Sequence, residues 1–69
     1  MARPDEVLWE FRRADHHTFR CELRGQGECG WDAVILRDGD LLGSRRFVLR
    51  IEAEAWAKLE RKAIEGATR

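Results

Sequence analysis

Alternating apolar and polar positions dominate the first half of the chain and predict β-strands. In residues 7–12, Val7, Trp9 and Phe11 fall on one side, and Leu8 falls on the other with two charged residues. Because successive strand side chains point to opposite faces, this segment is typical of a half-buried strand.

Three further strands are predicted downstream. Residues 17–24 alternate apolar with charged side chains, and three glycines in 25–30 then predict a loop. Segment 31–37 has four consecutive apolar residues at its centre, which indicates apolar contact on both faces. Asp38-Gly39 is a strong signal for a two-residue hairpin, and the fourth strand then runs over 40–47.

The apolar period changes to that of a helix near the C-terminus. Ile51, Ala55, Leu59 and Ala63 recur at a spacing near 3.6, in a segment rich in Ala, Glu, Lys, Leu and Arg. We therefore predict an amphipathic helix over residues 51–65.

A half-apolar sheet and one amphipathic helix satisfy each other by packing face to face. The predicted fold class is α+β with two layers: an antiparallel meander of three to four strands, packed on one face by the C-terminal helix (ββββα). The chain length of 69 residues allows one domain, 1–69. Within it we predict a flexible arm at 1–5, the sheet at 6–47 and the helix at 51–65.

The predicted core is mainly aromatic. Its expected members are Trp9, Phe11, Phe19, Leu23, Phe47, Trp56 and Leu59.

One helix is too narrow to cover a four-stranded sheet, so an uncovered sheet face is expected. Exposed apolar area usually marks an interface, and a homodimer is the commonest way to bury it. The contact face would include either Val34 and Leu36 or Ala33 and Ile35. The favoured set of interface residues is Leu8, Val34, Leu36 and Leu42.

Charge composition leaves two hypotheses for the arginines. Thirteen basic residues balance thirteen acidic ones, and eleven of the basic residues are Arg. Arginines on a sheet can contact phosphates, which makes nucleic-acid binding one hypothesis, or they can pair across strands with carboxylates. The zero net charge favours pairing with Glu10, Glu22 and Asp32. The candidate phosphate-binding residues are Arg20, Arg45, Arg46 and Arg50.

Candidate chemistry is sparse. His16, His17, Cys21 and Cys29 do not have the spacing of a compact zinc site, so no metal is expected. Cys29 lies in the glycine-rich loop, but no orienting group accompanies it. The same loop has no Lys and precedes a strand, so it does not predict a phosphate cradle. We expect no catalytic residues, no cofactor and no enzymatic activity.

Residues 30–57 carry a family resemblance. Gly30-Trp31, the Asp38-Gly39 turn, Gly43, Phe47 and Glu54-Ala55-Trp56-Ala57 resemble the sheet-plus-helix unit of two kinds of DNA-binding domain. These are the plant ethylene-responsive-element-binding domain and the arm-binding domain of tyrosine recombinases. The resemblance implies a three-stranded sheet backed by a helix, which docks in a DNA major groove.

The whole chain also resembles small bacterial proteins of unknown function. The shared features are a Trp in the first strand, Cys21-Glu22-Leu23-Arg24, a Gly-Trp third strand, Arg45-Arg46-Phe47 and an Ala-Trp-Ala helix. This resemblance implies no activity.

Sequence patterns also bear on compartment and function. No apolar run has the length of a membrane span or of a signal peptide, and two cysteines are too few for a disulfide scaffold. We therefore expect a cytoplasmic protein that does not enter membranes. The predicted function is a non-enzymatic interaction module that self-associates or binds a protein partner through the uncovered sheet face. Nucleic-acid binding is the alternative.

Overall fold

The computed structural model describes residues 5–66 and confirms the ββββα architecture. One antiparallel sheet has the strand order β1-β2-β3-β4, and a C-terminal helix follows it. A short 3₁₀ turn, Gly27–Cys29, connects the second and third strands. The elements are β1 (Glu6–Arg12), β2 (Thr18–Gly25), β3 (Trp31–Arg37), β4 (Asp40–Phe47) and α1 (Arg50–Gly66).

The predicted arm at 1–5 lies almost entirely outside the described residues. Its last member, Asp5, is described and forms an ion pair with Arg24 on β2, at 3.5 Å between Arg24 Nε and Asp5 Oδ2.

The Asp38-Gly39 hairpin is confirmed, and its geometry explains the residue choice. Asp38 has φ 53° and Gly39 has φ 89°. Two central residues with positive φ match the right-handed twist of the flanking strands, and Asp and Gly tolerate that conformation best. The Asp38 carboxylate also accepts hydrogen bonds from the Thr18 backbone N–H at 2.9 Å and from His17 Nδ1 at 2.6 Å. The hairpin is thereby tied to the start of β2.

Strand register decides which face of β3 the helix covers. Cys21 lies opposite Ile35, and Leu23 lies opposite Ala33. These residues form the core with the α1 residues Ala53 and Ala57. The helix therefore covers the face of Ala33 and Ile35, and the uncovered face carries their neighbours along β3, Val34 and Leu36.

A β-bulge in β1 overturns the simple alternation predicted for that strand. Val7 lies opposite Glu22 and Trp9 lies opposite Cys21, so Leu8 is an extra residue without a counterpart on β2. Val7 is consequently 46% exposed. Leu8 is half-buried and packs against the core on the helix side. The prediction that Leu8 shares the uncovered face with Val34 was therefore wrong.

A second bulge lies in β4. Ile35 pairs with Gly43 and Leu36 pairs with Leu41, which leaves Leu42 as the extra residue. Leu42 is 48% exposed.

The helix packs on the sheet with the face opposite to the predicted one. Ala53 and Ala57 are buried, whereas Ile51 and Leu59 are 72% and 65% exposed. Placing Leu59 in the core was therefore wrong. Trp9, Phe19 and Leu23 are buried as predicted. The other three predicted core residues are half-buried and pack against the core, namely Phe11, Phe47 and Trp56.

The small inner residues explain this rotation. An alanine face lets a helix approach a sheet closely, and large aromatic side chains of the sheet then fill the remaining volume. At this close approach the Trp9 indole Nε1 donates a hydrogen bond to the Ala57 carbonyl oxygen at 2.9 Å. That bond joins β1 to α1 inside the core.

Candidate interaction surfaces

The uncovered face of the sheet carries a network of ion pairs around one carboxylate. Glu22 on β2 is 9% exposed. Its Oε1 accepts hydrogen bonds from Arg24 at 2.7 and 3.2 Å, and its Oε2 lies 3.0 Å from Arg20 Nε. Arg20 also lies 3.8 Å from Glu10 on β1. The predicted pairing of arginines with Glu10 and Glu22 is thus present.

A second ion pair joins β3 and β4 on the same face. Arg46 donates from Nε and Nη2 to the two oxygens of Asp32, at 2.7 and 3.1 Å. This two-point contact is the strongest arrangement available to an arginine and a carboxylate. Hydrogen bonding to Arg46 is the main reason why the pKa of Asp32 lies below its ordinary value.

Among the described residues, apolar side chains are exposed only towards the margins of the uncovered face, where Leu41 is 67% and Val7 is 46% exposed. Val34 lies between Glu22 and Ser44 in the register, and it is only 5% exposed. The aliphatic parts of long neighbouring side chains shield such a residue from water. Leu36 is half-buried. Of the predicted interface residues, Val34 and Leu36 therefore lie on this face but offer little surface to a partner.

The four arginines predicted to bind nucleic acid do not form one stripe. Arg20 and Arg46 belong to the uncovered face and are both paired with acids. Arg45 lies opposite Ala33, on the helix side of the sheet, and its guanidinium is 5.3 Å from the Phe47 ring centre.

Arg50 begins the helix and lies on the helix side as well. It donates to Glu54 at 2.6 Å and to Glu6 at 2.5 Å, and its guanidinium lies 5.5 Å from the Trp31 ring centre. Three of the four arginines are thus engaged by carboxylates of the same chain.

Several strongly exposed apolar side chains lie on the outer surface of the helix and in the residues leading into it. We call this surface the outer stripe. Its exposed fractions are 81% for Val48, 55% for Leu49, 72% for Ile51 and 65% for Leu59. Ala55 lies between Ile51 and Leu59 at four-residue spacing and is also exposed. Sequence periodicity identified Ile51, Ala55 and Leu59 of this stripe, and it assigned Leu59 to the core.

A groove runs between β1 and α1, and we call it the β1–α1 groove. It exists because the backbone of α1 lies closer to β3 and β4 than to β1, which it contacts through the Trp9 side chain. The groove has a volume of about 370 Å³. Its apolar floor consists of Leu8, Trp9 and Ala57. Its rim consists of Glu54, Lys58, Arg61, Lys62 and Glu65.

The histidines and cysteines are dispersed. Cys21 is fully buried, and burial is the main cause that raises the pKa of its thiol to about 11. Cys29 is exposed in the 3₁₀ turn. His17 pairs with Asp38 at 2.6 Å. In residues 5–66, no three His, Cys, Asp or Glu side chains lie close enough together to hold a metal ion.

Comparison with family models, with curated proteins and with solved structures finds no match to this chain. Between residues 5 and 66 the structure contains no helix that is both long and apolar enough to cross a membrane.

Proposed function

We propose that this protein is a non-enzymatic, cytoplasmic interaction module that associates with a second copy of itself through the outer stripe. The observation that carries the proposal is the exposure of Ile51 and Leu59, at 72% and 65%, on the face of α1 that points away from the sheet. Large apolar side chains grouped on a surface favour burial against a partner, at about 25 cal/mol for each Å² removed from water.

The spacing of the stripe favours a second copy as the partner. Ile51 and Leu59 lie four residues before and after Ala55. In an antiparallel pair with a two-fold axis at Ala55, Ile51 of each copy meets Leu59 of the other, and the small alanine allows close approach of the helices. The zero net charge of the chain adds no repulsion between two copies.

The sheet face is less suited to this role than the sequence suggested. Burying it would remove the ion pairs of Glu22 and Asp32 from water, and that desolvation offsets much of the gain. Nucleic-acid binding through Arg20, Arg45, Arg46 and Arg50 remains the alternative. It would require phosphates to displace carboxylates from three of these residues.

The exposed thiol of Cys29 supports the cytoplasmic assignment. Both cysteines are free, and Cys29 is on the surface. A reducing compartment keeps such a thiol unpaired.

Sedimentation velocity at micromolar concentration tests the proposal. We expect a dimer for the natural sequence and a monomer for the double variant Ile51→Gln/Leu59→Gln, because glutamine keeps helix propensity but removes apolar area. The matched control is Leu36→Gln/Leu41→Gln on the uncovered face, which should remain dimeric. Dissociation of the control alone would restore the sheet face as the interface, and a monomeric natural protein would refute self-association.

A cross-linking experiment tests the proposed symmetry. Ala55→Cys in a Cys29→Ser background should form a disulfide-linked dimer under mild oxidation, because the two-fold axis brings the Ala55 positions together. Glu52→Cys in the same background should cross-link much more slowly, because antiparallel pairing about Ala55 displaces the two Glu52 positions from each other along the helix axis. Equal rates for the two variants would reject the antiparallel pairing around Ala55.

A further inference from the structure

The β1–α1 groove combines an apolar floor with a positively charged rim. Trp9 and Ala57 supply much of the floor, and the groove volume of about 370 Å³ lies in the usual range of small-molecule sites. This groove lies on the flank of α1, whereas the outer stripe points away from the sheet. The two surfaces adjoin each other, because Glu54 and Lys58 of the groove also border Ile51 and Ala55 of the outer stripe.

The charges of the rim do not cancel one another. Glu54 accepts a hydrogen bond from Arg50 at 2.6 Å, and Glu65 accepts one from Arg61 at 3.2 Å. Both rim carboxylates are thus engaged by arginines. Within residues 5–66, neither Lys58 nor Lys62 has a carboxylate partner. Two ammonium groups are left to face the solvent above the groove.

The spacing of these lysines is itself unfavourable. Lys58 and Lys62 are four residues apart, so they are neighbours on the helix surface and repel each other. Elsewhere α1 fills the same spacing with opposite charges, as Arg50 with Glu54 and Arg61 with Glu65. An anion placed between the two lysines would relieve the repulsion.

We infer that the groove binds a monomeric medium-chain fatty carboxylate, with its acyl chain against Leu8 and Trp9 and its carboxylate between Lys58 and Lys62. The groove volume of about 370 Å³ is large enough for an acyl chain of medium length, and a ten-carbon chain is used in the test. Burial of the acyl chain supplies the affinity, and the lysine pair selects the anionic head.

Titration with decanoate below its micelle concentration, followed by ¹H–¹⁵N NMR, tests this inference. The indole N–H of Trp9 is the reporter, because this group lies at the groove floor and donates to Ala57. We expect a saturable shift of the Trp9 indole resonance. Decyltrimethylammonium, which has the same chain and the opposite charge, should produce no saturable shift.

Charge variants identify the groove as the site. The double variant Lys58→Gln/Lys62→Gln should weaken decanoate binding roughly fivefold or more, since two exposed charge contacts are lost. The control Arg37→Gln/Arg45→Gln removes the same charge outside the groove rim and should bind like the natural protein. Circular dichroism confirms that both variants remain folded.

Three results would overturn the inference. The first is the absence of any saturable shift at Trp9. The second is equal affinity of the groove variant and its control. The third is a set of NMR shifts confined to the outer stripe, or shifts that appear only when anionic vesicles replace decanoate. The former would indicate adsorption to an exposed apolar surface and the latter binding to a membrane surface, and neither is a groove for a single acyl chain.

Discussion

The indole Nε1 of Trp9 donates a buried hydrogen bond to the carbonyl oxygen of Ala57, 48 residues away in the chain. This bond fixes both the depth and the rotation of α1 on the sheet, because the carbonyl belongs to the inner face of the helix. Replacing Trp9 with Phe keeps an aromatic ring but removes the donor.

We expect Trp9→Phe to lower the free energy of unfolding by about 1–3 kcal/mol, from the lost hydrogen bond and the smaller ring. Urea denaturation followed by circular dichroism measures this. Trp31→Phe is the control, since Trp31 is only half-buried. An equal or larger loss in the control would contradict a special role for the Trp9–Ala57 bond.

Gly30 is a position where only glycine fits. Its φ is 94°, and a Cβ added there would lie 2.2 Å from the Phe47 carbonyl oxygen. We expect Gly30→Ala to destabilise the fold by about 2–4 kcal/mol, since both backbone strain and a clash with backbone atoms result.

Gly43→Ala is the matched control, because no atom lies within 4 Å of a Cβ built there and its φ is not positive. It should change the stability by less than about 1 kcal/mol. Thermal unfolding of the two variants in parallel would show the difference, and similar melting temperatures would argue against the close packing of Gly30 on β4.

Glu22 stabilises the uncovered face because it holds two arginines from a largely buried position. Its side chain is 12% exposed, whereas that of Glu10 is 51% exposed. Glu22→Gln should therefore cost about 1–3 kcal/mol, and Glu10→Gln should cost less than about 1 kcal/mol. Chemical denaturation at low and high salt measures both. An equal loss of stability in Glu10→Gln and Glu22→Gln would contradict the larger contribution of Glu22.

The two cysteines should differ in reactivity towards a thiol reagent. Cys29 is exposed and should react quickly near pH 8, while Cys21 should react only after denaturation. Burial raises the pKa of Cys21 from 9.0 to about 11. The folded state therefore retains a proton that the unfolded state releases, so this stabilising contribution is complete below pH 9.0 and is lost as the pH rises to about 11.

Denaturation at several pH values checks the sign of this effect. The free energy of unfolding of the Cys29→Ser variant should fall between pH 9.0 and about 11. That of the double variant Cys29→Ser/Cys21→Ala should fall less. Rapid labelling of Cys21 in the native protein would contradict its burial.

The strands and their order were predictable because alternation and turn residues are local signals. Segments 31–37 and 40–47 match β3 and β4 residue for residue, and Asp38-Gly39 forms the expected hairpin. Leu8 was misplaced because one inserted residue reverses the alternation, and hydropathy does not reveal an insertion.

The prediction of the buried face of α1 was wrong for a different reason. Two stripes at the same period exist in α1, one with Ile51 and Leu59 and one with Ala53 and Ala57. Hydropathy ranks the larger residues as core, but the buried stripe is decided by how closely the helix approaches the sheet, which is a tertiary property. The β1–α1 groove depends on the same docking, so it could not be located from the sequence.

The bulges at Leu8 and Leu42 lie in β1 and β4, the two strands that border the sheet. A ribbon that is irregular along both margins is a poor template for intermolecular strand addition, because the backbone donors and acceptors there are out of step with those of a straight incoming strand. Concentrated solutions of this small protein should accordingly resist fibril growth, even though the inner strand β3 is strongly apolar.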